Sequence, residues 1–214
     1  CPNRANLAYE TGTTPPACPP SGSQCVVVPT APVVTIAKSA SAPMPTGNPD
    51  EYAITYVVTV DNRGGSTGSY DLADALAFNG ATISAISAPA YATTTGDIQD
   101  GALGGFGLPA GGSIVTNESI GSGGSERWTY TVTYAVADGD IASDCSIPNG
   151  GLRNHAGLGG DSAGAPPAET CSGAPSVGIV KTATAPAPTG NPNEFTRTYT
   201  VDIANTGSLA GIYD

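Results

Sequence analysis

The chain has 214 residues, with 18 acidic and 7 basic side chains and a formal net charge of −11. This charge argues against nucleic acid as a partner, because few cations are available to neutralise phosphates. Glycine (29 residues) and proline (19 residues) are abundant, and no long segment is rich in straight-chain helix formers. The composition therefore predicts an all-β protein with almost no helix.

Alternation of apolar and polar residues predicts a series of short strands. The two clearest run from Tyr52 to Asp61 and from Arg127 to Val136. The shorter candidates are Val33–Lys38, Tyr70–Leu76, Ala81–Ile86, Ser113–Thr116, Leu152–Leu158 and Glu169–Ser172. Turn clusters rich in glycine separate them. Seven or eight antiparallel strands in about 140 residues predict an immunoglobulin-like antiparallel β-sandwich.

A sequence repeat relates two parts of the chain. KSASAPMPTGNPDEY begins at Lys38 and returns as KTATAPAPTGNPNEF from Lys181. An ungapped alignment of Val34–Asp71 with Val177–Asp214 has 20 identical residues in 38 positions. The repeat length along the chain, from Lys38 to Lys181, is typical of an array of complete domains, because solenoid repeats span only about 20–50 residues.

The repeat predicts three segments. Residues 33–175 form one complete β-sandwich repeat, and residues 177–214 are the first strands of the following repeat. Residues 1–30 are the C-terminal strands of a preceding repeat, since their start resembles residues 148–158 and both stretches have flanking cysteines. Without a signal peptide, an initiator Met or an apolar run of membrane length, we expect a segment of a longer, processed polypeptide.

The five cysteines lack the paired C-x-x-C spacing of a zinc site and favour disulfides formed in an oxidising compartment. We therefore expect a secreted protein. Cys145 and Cys171 are separated by nearly the same length of chain as Cys1 and Cys25. Because both pairs bracket equivalent terminal strands, we predict these two disulfides, which leaves Cys18 without a partner in this chain.

Five short motifs follow one another along the complete repeat. They are Ile36-Ala37-Lys38, Tyr56-Val57-Val58-Thr59-Val60-Asp61-Asn62-Arg63-Gly64, Asp74-Ala75-Leu76, Trp128-Thr129-Tyr130-Thr131-Val132 and Asn154-His155-Ala156. In this order they resemble the conserved repeat domain of unknown function (DUF-eleven type) of large prokaryotic surface proteins. The resemblance covers the whole repeat unit and implies a β-sandwich and an extracellular role, and the family carries no established enzymatic activity. The cysteines and the glycine-rich insert from Gly96 to Gly112 depart from the family pattern.

The only two lysines, Lys38 and Lys181, occupy the same position of the repeat. Alternation places Lys38 on the apolar face of the first strand and Asn154 on the apolar face of the last, with Asp74 between them in the chain. A buried lysine, asparagine and aspartate are the ingredients of a self-formed isopeptide bond, in which a neutral amine attacks an amide that a protonated carboxyl polarises. Alternatively, Lys38 reaches the strand end or forms a salt bridge with Asp71 or Asp74.

Other polar residues are candidates for binding or modification. Calcium is the only cofactor that the sequence suggests, and its candidate ligands are the loop residues Asp97, Asp100, Asp138, Asp140 and Asp161. None follows a known calcium-loop spacing, so solvated turn aspartates are the alternative. Asn117 begins a glycosylation sequon. His155 is expected at the surface, and no nucleophile setting is recognisable, so we expect no enzymatic activity.

These observations predict a structural repeat of a long extracellular fibre, stalk, sheath or surface-layer protein, secreted or held at the cell surface. The repeat would act as a rigid spacer and assembly unit whose partners are neighbouring repeats or copies of itself, with no membrane contact within this segment. The alternative is an adhesin module that recognises a carbohydrate or protein through the 87–112 region, where Tyr91 and Phe106 are the aromatic residues.

Overall fold

A computed structural model describes residues 30–136, 145–146, 150–160, 165–173 and 177–207. Almost all regular structure in these ranges is antiparallel β. The strands are β1 (Val34–Ala40), β2 (Met44–Pro45), β3 (Glu51–Asn62), β4 (Gly68–Phe78), β5 (Ala81–Ile86), β6 (Ala90–Thr93), β7 (Ala102–Leu103), β8 (Gly111–Ile120), β9 (Ser125–Val136), β10 (Leu152–Gly159), β11 (Ala168–Ser172), β12 (Val177–Ala183), β13 (Ala187–Pro188), β14 (Phe195–Thr196) and β15 (Tyr199–Asn205).

Strands β1 to β11 form two sheets. One has the order β1-β3-β9-β5, with β2 added to β3 and β6 added to β9, and the other has the order β11-β10-β4-β8-β7. The first order matches the A-B-E-D sheet of an immunoglobulin domain, and β11-β10-β4 matches its G-F-C sheet. The predicted all-β sandwich is confirmed. The departure is the segment from β6 to β8, in which β6 adds to β9 of the first sheet and β8 and β7 extend the second sheet beside β4.

The core lies between the two sheets because β3 and β9 alternate strictly. In β3 every second residue from Tyr52 to Val60 is buried, and the same holds in β9 from Trp128 to Tyr134. The register pairs Tyr56 with Tyr130, and their rings stack with centroids 5.5 Å apart. Each such side chain contributes about 1.5–3 kcal/mol by leaving water. The polar faces of the same strands, rich in threonine, stay at the surface.

A buried asparagine ends β3 and fixes three segments of backbone. Asn62 is 1 % exposed, and its Oδ1 accepts hydrogen bonds from the amides of Val33 (3.1 Å) and Gly64 (2.9 Å). Its Nδ2 donates to the carbonyls of Ser66 (2.8 Å), Ile120 (3.1 Å) and Gly121 (3.1 Å). The side chain therefore joins the start of β1, the turn after β3 and the end of β8.

Replacing Asn62 with alanine is expected to lower the free energy of unfolding by about 3 kcal/mol or more, because several buried backbone groups would lose their partner. Urea unfolding followed by Trp128 fluorescence measures this change. The matched control is Asn205→Ala at the equivalent, exposed position of the second copy, where we expect a change below about 0.5 kcal/mol. Equal effects of the two substitutions would contradict the role assigned to Asn62.

The hairpin of β12 and β15 repeats the pairing of β1 and β3. All seven residue pairs recur in the second copy, from Val34 with Asn62 and Val177 with Asn205 to the pairs at the other end. The short β13–β14 pairing likewise repeats the β2–β3 pairing. In both copies a threonine and an asparagine donate to one glutamate, Glu51 or Glu194. The sequence repeat is therefore also a repeat of backbone register.

The two copies differ in burial. Val58 and Val60 are fully buried, whereas their counterparts Val201 and Ile203 are 53 % and 41 % exposed. Ile179, Phe195 and Tyr199 are also exposed. The correspondence breaks at Arg197, which stands where the first copy has buried Ile54, and its Nε donates to the carbonyl of Thr184. This hairpin lacks, among the described residues, the layer that β4, β8 and β10 provide for the first copy.

A disulfide bond joins Cys145 and Cys171, the pair that the sequence spacing predicts. Gly151 lies against it with φ +71°, and a Cβ there would be only 2.6 Å from one sulfur and 2.8 Å from the other. The close approach of the backbone thus requires glycine just before β10. The other cysteines, Cys1, Cys18 and Cys25, lie outside the described residues, as does the predicted preceding repeat apart from Thr30.

Candidate functional site

Lys38, Asp74 and Asn154, which the sequence singles out, meet between the two sheets. Lys38 comes from β1 of the first sheet, and Asp74 and Asn154 come from the neighbouring strands β4 and β10 of the second. The sequence predicts Asn154 on the last strand, but β11 follows β10 and pairs with it, so Asn154 lies on the penultimate strand of the sandwich. Asp74 lies opposite Ala156 and Asn154 opposite Leu76, so the two polar side chains are diagonal neighbours on one face. The side chains of Lys38 and Asp74 are 0 % exposed, and Asn154 is 0 % exposed.

The hydroxyl of Tyr130 connects these groups. Lys38 Nζ donates to this oxygen over 2.9 Å, and Asn154 Nδ2 donates to the same oxygen over 2.8 Å. Lys38 Nζ also forms an ion pair with Asp74 Oδ2. Of the two salt bridges predicted as alternatives, Lys38 therefore makes the one with Asp74, while Asp71 Oδ1 accepts from the amide of Asn117. Lysine, carboxyl, phenol and amide form one connected polar cluster.

Burial shifts the protonation of this cluster. It lowers the pKa of Lys38, and the nearby Asp74 carboxylate opposes only part of that shift. It raises the pKa of Asp74, against the opposing effect of Lys38. Because the two values move toward one another, the neutral amine and the neutral acid become accessible to the buried pair. Burial also raises the pKa of Tyr130, so its phenol stays protonated.

Two buried oxygen atoms of the cluster have no hydrogen-bond partner in the described part of the chain. They are Oδ1 of Asp74 and Oδ1 of Asn154. A buried acceptor without a donor costs about 1–3 kcal/mol. If Asp74 Oδ1 carried a proton, it would be a hydrogen-bond donor inside the buried cluster.

Aromatic rings close the cluster off from solvent. Lys38 Nζ lies 5.2 Å from the centroid of the Tyr56 ring and 5.5 Å from that of Tyr130, which are cation–π distances. Phe106, from the segment between β7 and β8, packs edge to face on Tyr130 with centroids 4.6 Å apart. Water is therefore excluded from the space around the lysine amine.

Sequence reasoning missed Tyr130 as a member of the site. It is one of several aromatic residues with the same alternation on β3 and β9, and only the packing across the two sheets selects the hydroxyl that faces Lys38. Its signal in the sequence is its place on the inward-facing register of β9, which it shares with Glu126, Trp128 and Tyr134.

A second buried polar cluster surrounds Glu118 and Glu126, both 0 % exposed. The Glu118 carboxylate accepts from the amides of Asp100 (3.2 Å) and Gly101 (2.8 Å), and therefore fixes part of the 87–112 region. Glu126 accepts from the Tyr70 hydroxyl, while its Oε1 has no partner among the described residues. Burial, with the charge of Glu118 adding to it, raises the pKa of Glu126 to about 7. Glu126 shares the inward parity of Trp128 and Tyr130, a signal that the sequence analysis passed over.

The calcium candidates divide into two groups. Asp97 accepts from the Thr95 hydroxyl and the Gly121 amide, and Asp100 accepts from the Ser119 amide. Within the described ranges, no group of three metal-binding side chains is close enough to hold an ion. Asp138, Asp140 and Asp161 lie outside the described residues.

Of the remaining candidates, Asn117 and His155 lie at the surface, and the two aromatic residues pack inward. Asn117 is exposed in β8 with φ +55°. The side chain of His155 is 44 % exposed, and its Nδ1 lies 3.5 Å from Glu169 Oε2. Tyr91 and Phe106, the aromatic residues of the 87–112 region, are partly buried and pack against Trp128 and Tyr130. They do not form an exposed aromatic platform.

Comparisons with known proteins found no family model that matches the chain and no curated protein similar to it. In the part of the chain that the structure describes, no helix has the length and apolar character needed to cross a membrane.

Proposed function

We propose that the chain is a stretch of structural repeats from a long extracellular protein, in which each β-sandwich acts as a rigid spacer between its neighbours. The observation that carries this proposal is the return of the same strand register in the second copy of the repeat, from β1–β3 to β12–β15. Residues 33–175 are then one repeat, and 177–214 open the next. The resemblance to the repeat domain of prokaryotic surface proteins (DUF-eleven type) agrees with this proposal.

The exposed apolar face of the second hairpin supports the same proposal. Val201 and Ile203 would be buried in a completed repeat, as Val58 and Val60 are in the first. The proposed occupant of this face is the remainder of the following repeat, with strands equivalent to β4, β8 and β10. Neighbouring repeats are therefore the partners of this chain, and a fibre, stalk, sheath or surface layer outside the cell is the proposed assembly.

The adhesin alternative has less support from the described residues. Its two aromatic side chains pack inward, and Glu118 fixes the backbone at residues 100 and 101. A spacer needs a stiff, polar exterior, and the threonine-rich outer faces of β3 and β9 provide one.

Ultracentrifugation of two chains tests the proposed boundaries. The full chain is expected to associate through its exposed hairpin, because contiguous apolar surface promotes association. A chain of residues 33–175 is expected to stay monomeric and to unfold at the same temperature as the sandwich of the full chain. Val201→Asp with Ile203→Asp in the full chain is the matched control and should restore the monomer. The proposal would be contradicted by a full chain that is monomeric and whose second hairpin has backbone amides protected from hydrogen exchange.

Labelling of intact cells tests whether the protein lies outside the cell, as proposed. Antibodies raised against residues 33–175 should bind the outside of unpermeabilised cells of the source organism, at regular intervals along an extended structure. Labelling only after permeabilisation would count against an extracellular spacer.

A further inference from the structure

Three groups that can react with one another are held together in the interior. The Lys38 amine and the Asn154 amide nitrogen each lie within hydrogen-bond distance of the Tyr130 oxygen, and the Asp74 carboxyl contacts the amine. A primary amine beside a carboxamide can form a new amide if the amine is neutral and the amide carbonyl is polarised. Both conditions are met when the proton shared by the Lys38–Asp74 pair resides on Asp74, because the amine is then neutral and the carboxyl can donate to the amide oxygen.

We propose that Lys38 and Asn154 become joined by an isopeptide bond that forms within the folded chain, with Asp74 as the catalytic residue and Tyr130 as a positioning residue. This inference rests on the geometry of the cluster and stands independently of the proposed spacer function. The bond would tie β1 of one sheet to β10 of the other. It is a modification of the chain by its own residues and requires no added reactant.

The reaction balances without an oxidant, a reductant or a metal. One proton moves from the Lys38 ammonium to Asp74, which leaves a neutral amine and a neutral acid. The amine lone pair attacks Cγ of Asn154, and the Asp74 proton stabilises the charge that develops on Oδ1. The lysine nitrogen then gives one of its two remaining protons to Nδ2. The Cγ–Nδ2 bond breaks, and Nδ2 leaves as ammonia. The products are a secondary amide, ammonia and a protonated Asp74.

The unpartnered oxygens agree with this role for Asp74. Asp74 Oδ1 and Asn154 Oδ1 are both buried acceptors without donors in the described residues. A proton on the carboxyl gives the amide oxygen a donor while the bond forms and afterwards. Directed donors of this kind are worth most where water is excluded, as the rings of Tyr56 and Phe106 exclude it here.

Tyr130 orients the two reactants. Its oxygen accepts from the amide nitrogen and from the amine, so the plane of the amide is fixed and the amine is held beside it. Holding reacting groups in this way removes much of the entropic barrier of a bond-forming step. Because burial raises the pKa of Tyr130, the phenol remains neutral and acts by orientation.

Intact mass of the folded full chain, after reduction and alkylation of its cysteines, tests the proposal. We expect a mass lower by one ammonia than that calculated for the sequence with all five cysteines alkylated. Trypsin should then fail to cleave after Lys38 and should release a branched peptide in which residues 5–63 are joined to residues 154–181. A folded chain of full mass that releases a free peptide of residues 5–38 would overturn the proposal.

Single substitutions test the role that the proposal gives to each residue of the cluster. Asp74→Asn and Asn154→Ala should each retain the full mass, whereas Lys181→Met, at the exposed equivalent position, should still lose one ammonia. Tyr130→Phe should slow the loss by about tenfold or more, sampled at fixed times after cell-free synthesis, with the near-ultraviolet circular dichroism unchanged. Tyr134→Phe removes another buried hydroxyl without a partner and should have the rate of the unmodified chain. Loss of ammonia in Asp74→Asn, or its absence in Lys181→Met, would overturn the assignment.

Discussion

Asp74→Ala is expected to lower the free energy of unfolding by at least about 3 kcal/mol, because it leaves the Lys38 amine buried without its ionic partner. The side chains of both residues are 0 % exposed, so solvent cannot replace the lost interaction. The variant also cannot form the proposed cross-link, which adds to the loss. Urea unfolding followed by circular dichroism measures the change.

A double substitution separates the cost of an unpaired charge from a general loss of packing. Lys38→Met combined with Asp74→Leu removes both polar groups and keeps apolar volume at the site. It should recover the part of the stability lost in Asp74→Ala that comes from the unpaired amine, but not the part that comes from the cross-link. Lys181→Met is the matched control at the exposed position and should change stability by less than about 0.5 kcal/mol. A double variant no more stable than Asp74→Ala would show that charge burial is not the cause.

The stability of the sandwich is expected to fall as the pH rises from about 4.5 to about 7, because burial raises the pKa of Glu126 to about 7. In this window the unfolded chain releases the Glu126 proton while the folded chain retains it, so a rising pH favours unfolding. The contribution is present below the unfolded pKa and is lost once the pH passes the folded pKa. A shift of this size corresponds to about 3 kcal/mol.

Glu126→Gln isolates this contribution. The amide oxygen can still accept from the Tyr70 hydroxyl but does not ionise, so the difference in stability between pH 4.5 and pH 8 should shrink by about 3 kcal/mol relative to the unmodified chain. Asp74, whose pKa is also raised, is unchanged in both proteins and cancels in the comparison. Asp202→Asn, on the exposed strand β15, is the control and should leave the pH dependence as it is. An unchanged pH dependence in Glu126→Gln would contradict the burial of a titrating carboxyl.

Much of the fold could be predicted from the sequence because one periodicity dominates it. In β3 and β9 the alternation of large apolar residues with threonine specifies both the strand and its buried face. The strand Ala81–Ile86 has the same bounds in the prediction and in the structure. Strand ends were less predictable, since Gly111 and Gly112 carry little pattern and yet belong to β8.

The candidate site was predictable only in part. The parity of Lys38 and Asn154 placed them on inner faces, but sequence does not specify which side chains meet across two sheets. The contribution of Tyr130 depends on cross-sheet packing, and that of Phe106 depends on the path of the 87–112 region. Glu118 and Glu126 were missed because both lie outside the predicted strands, Glu118 beyond Ser113–Thr116 and Glu126 just before Arg127. Their backbone and tyrosine partners allow burial.

Mechanical extension of the full chain, held by its two ends, tests most directly whether the sandwich is a rigid unit tied from β1 to β10. With the Lys38–Asn154 bond and the Cys145–Cys171 disulfide in place, the residues between Lys38 and Asn154 cannot extend. The account predicts that no single unfolding step of the sandwich exceeds about 100 Å. A single step of roughly 400 Å, the length released if only the disulfide restrains β1 to β11, would contradict it.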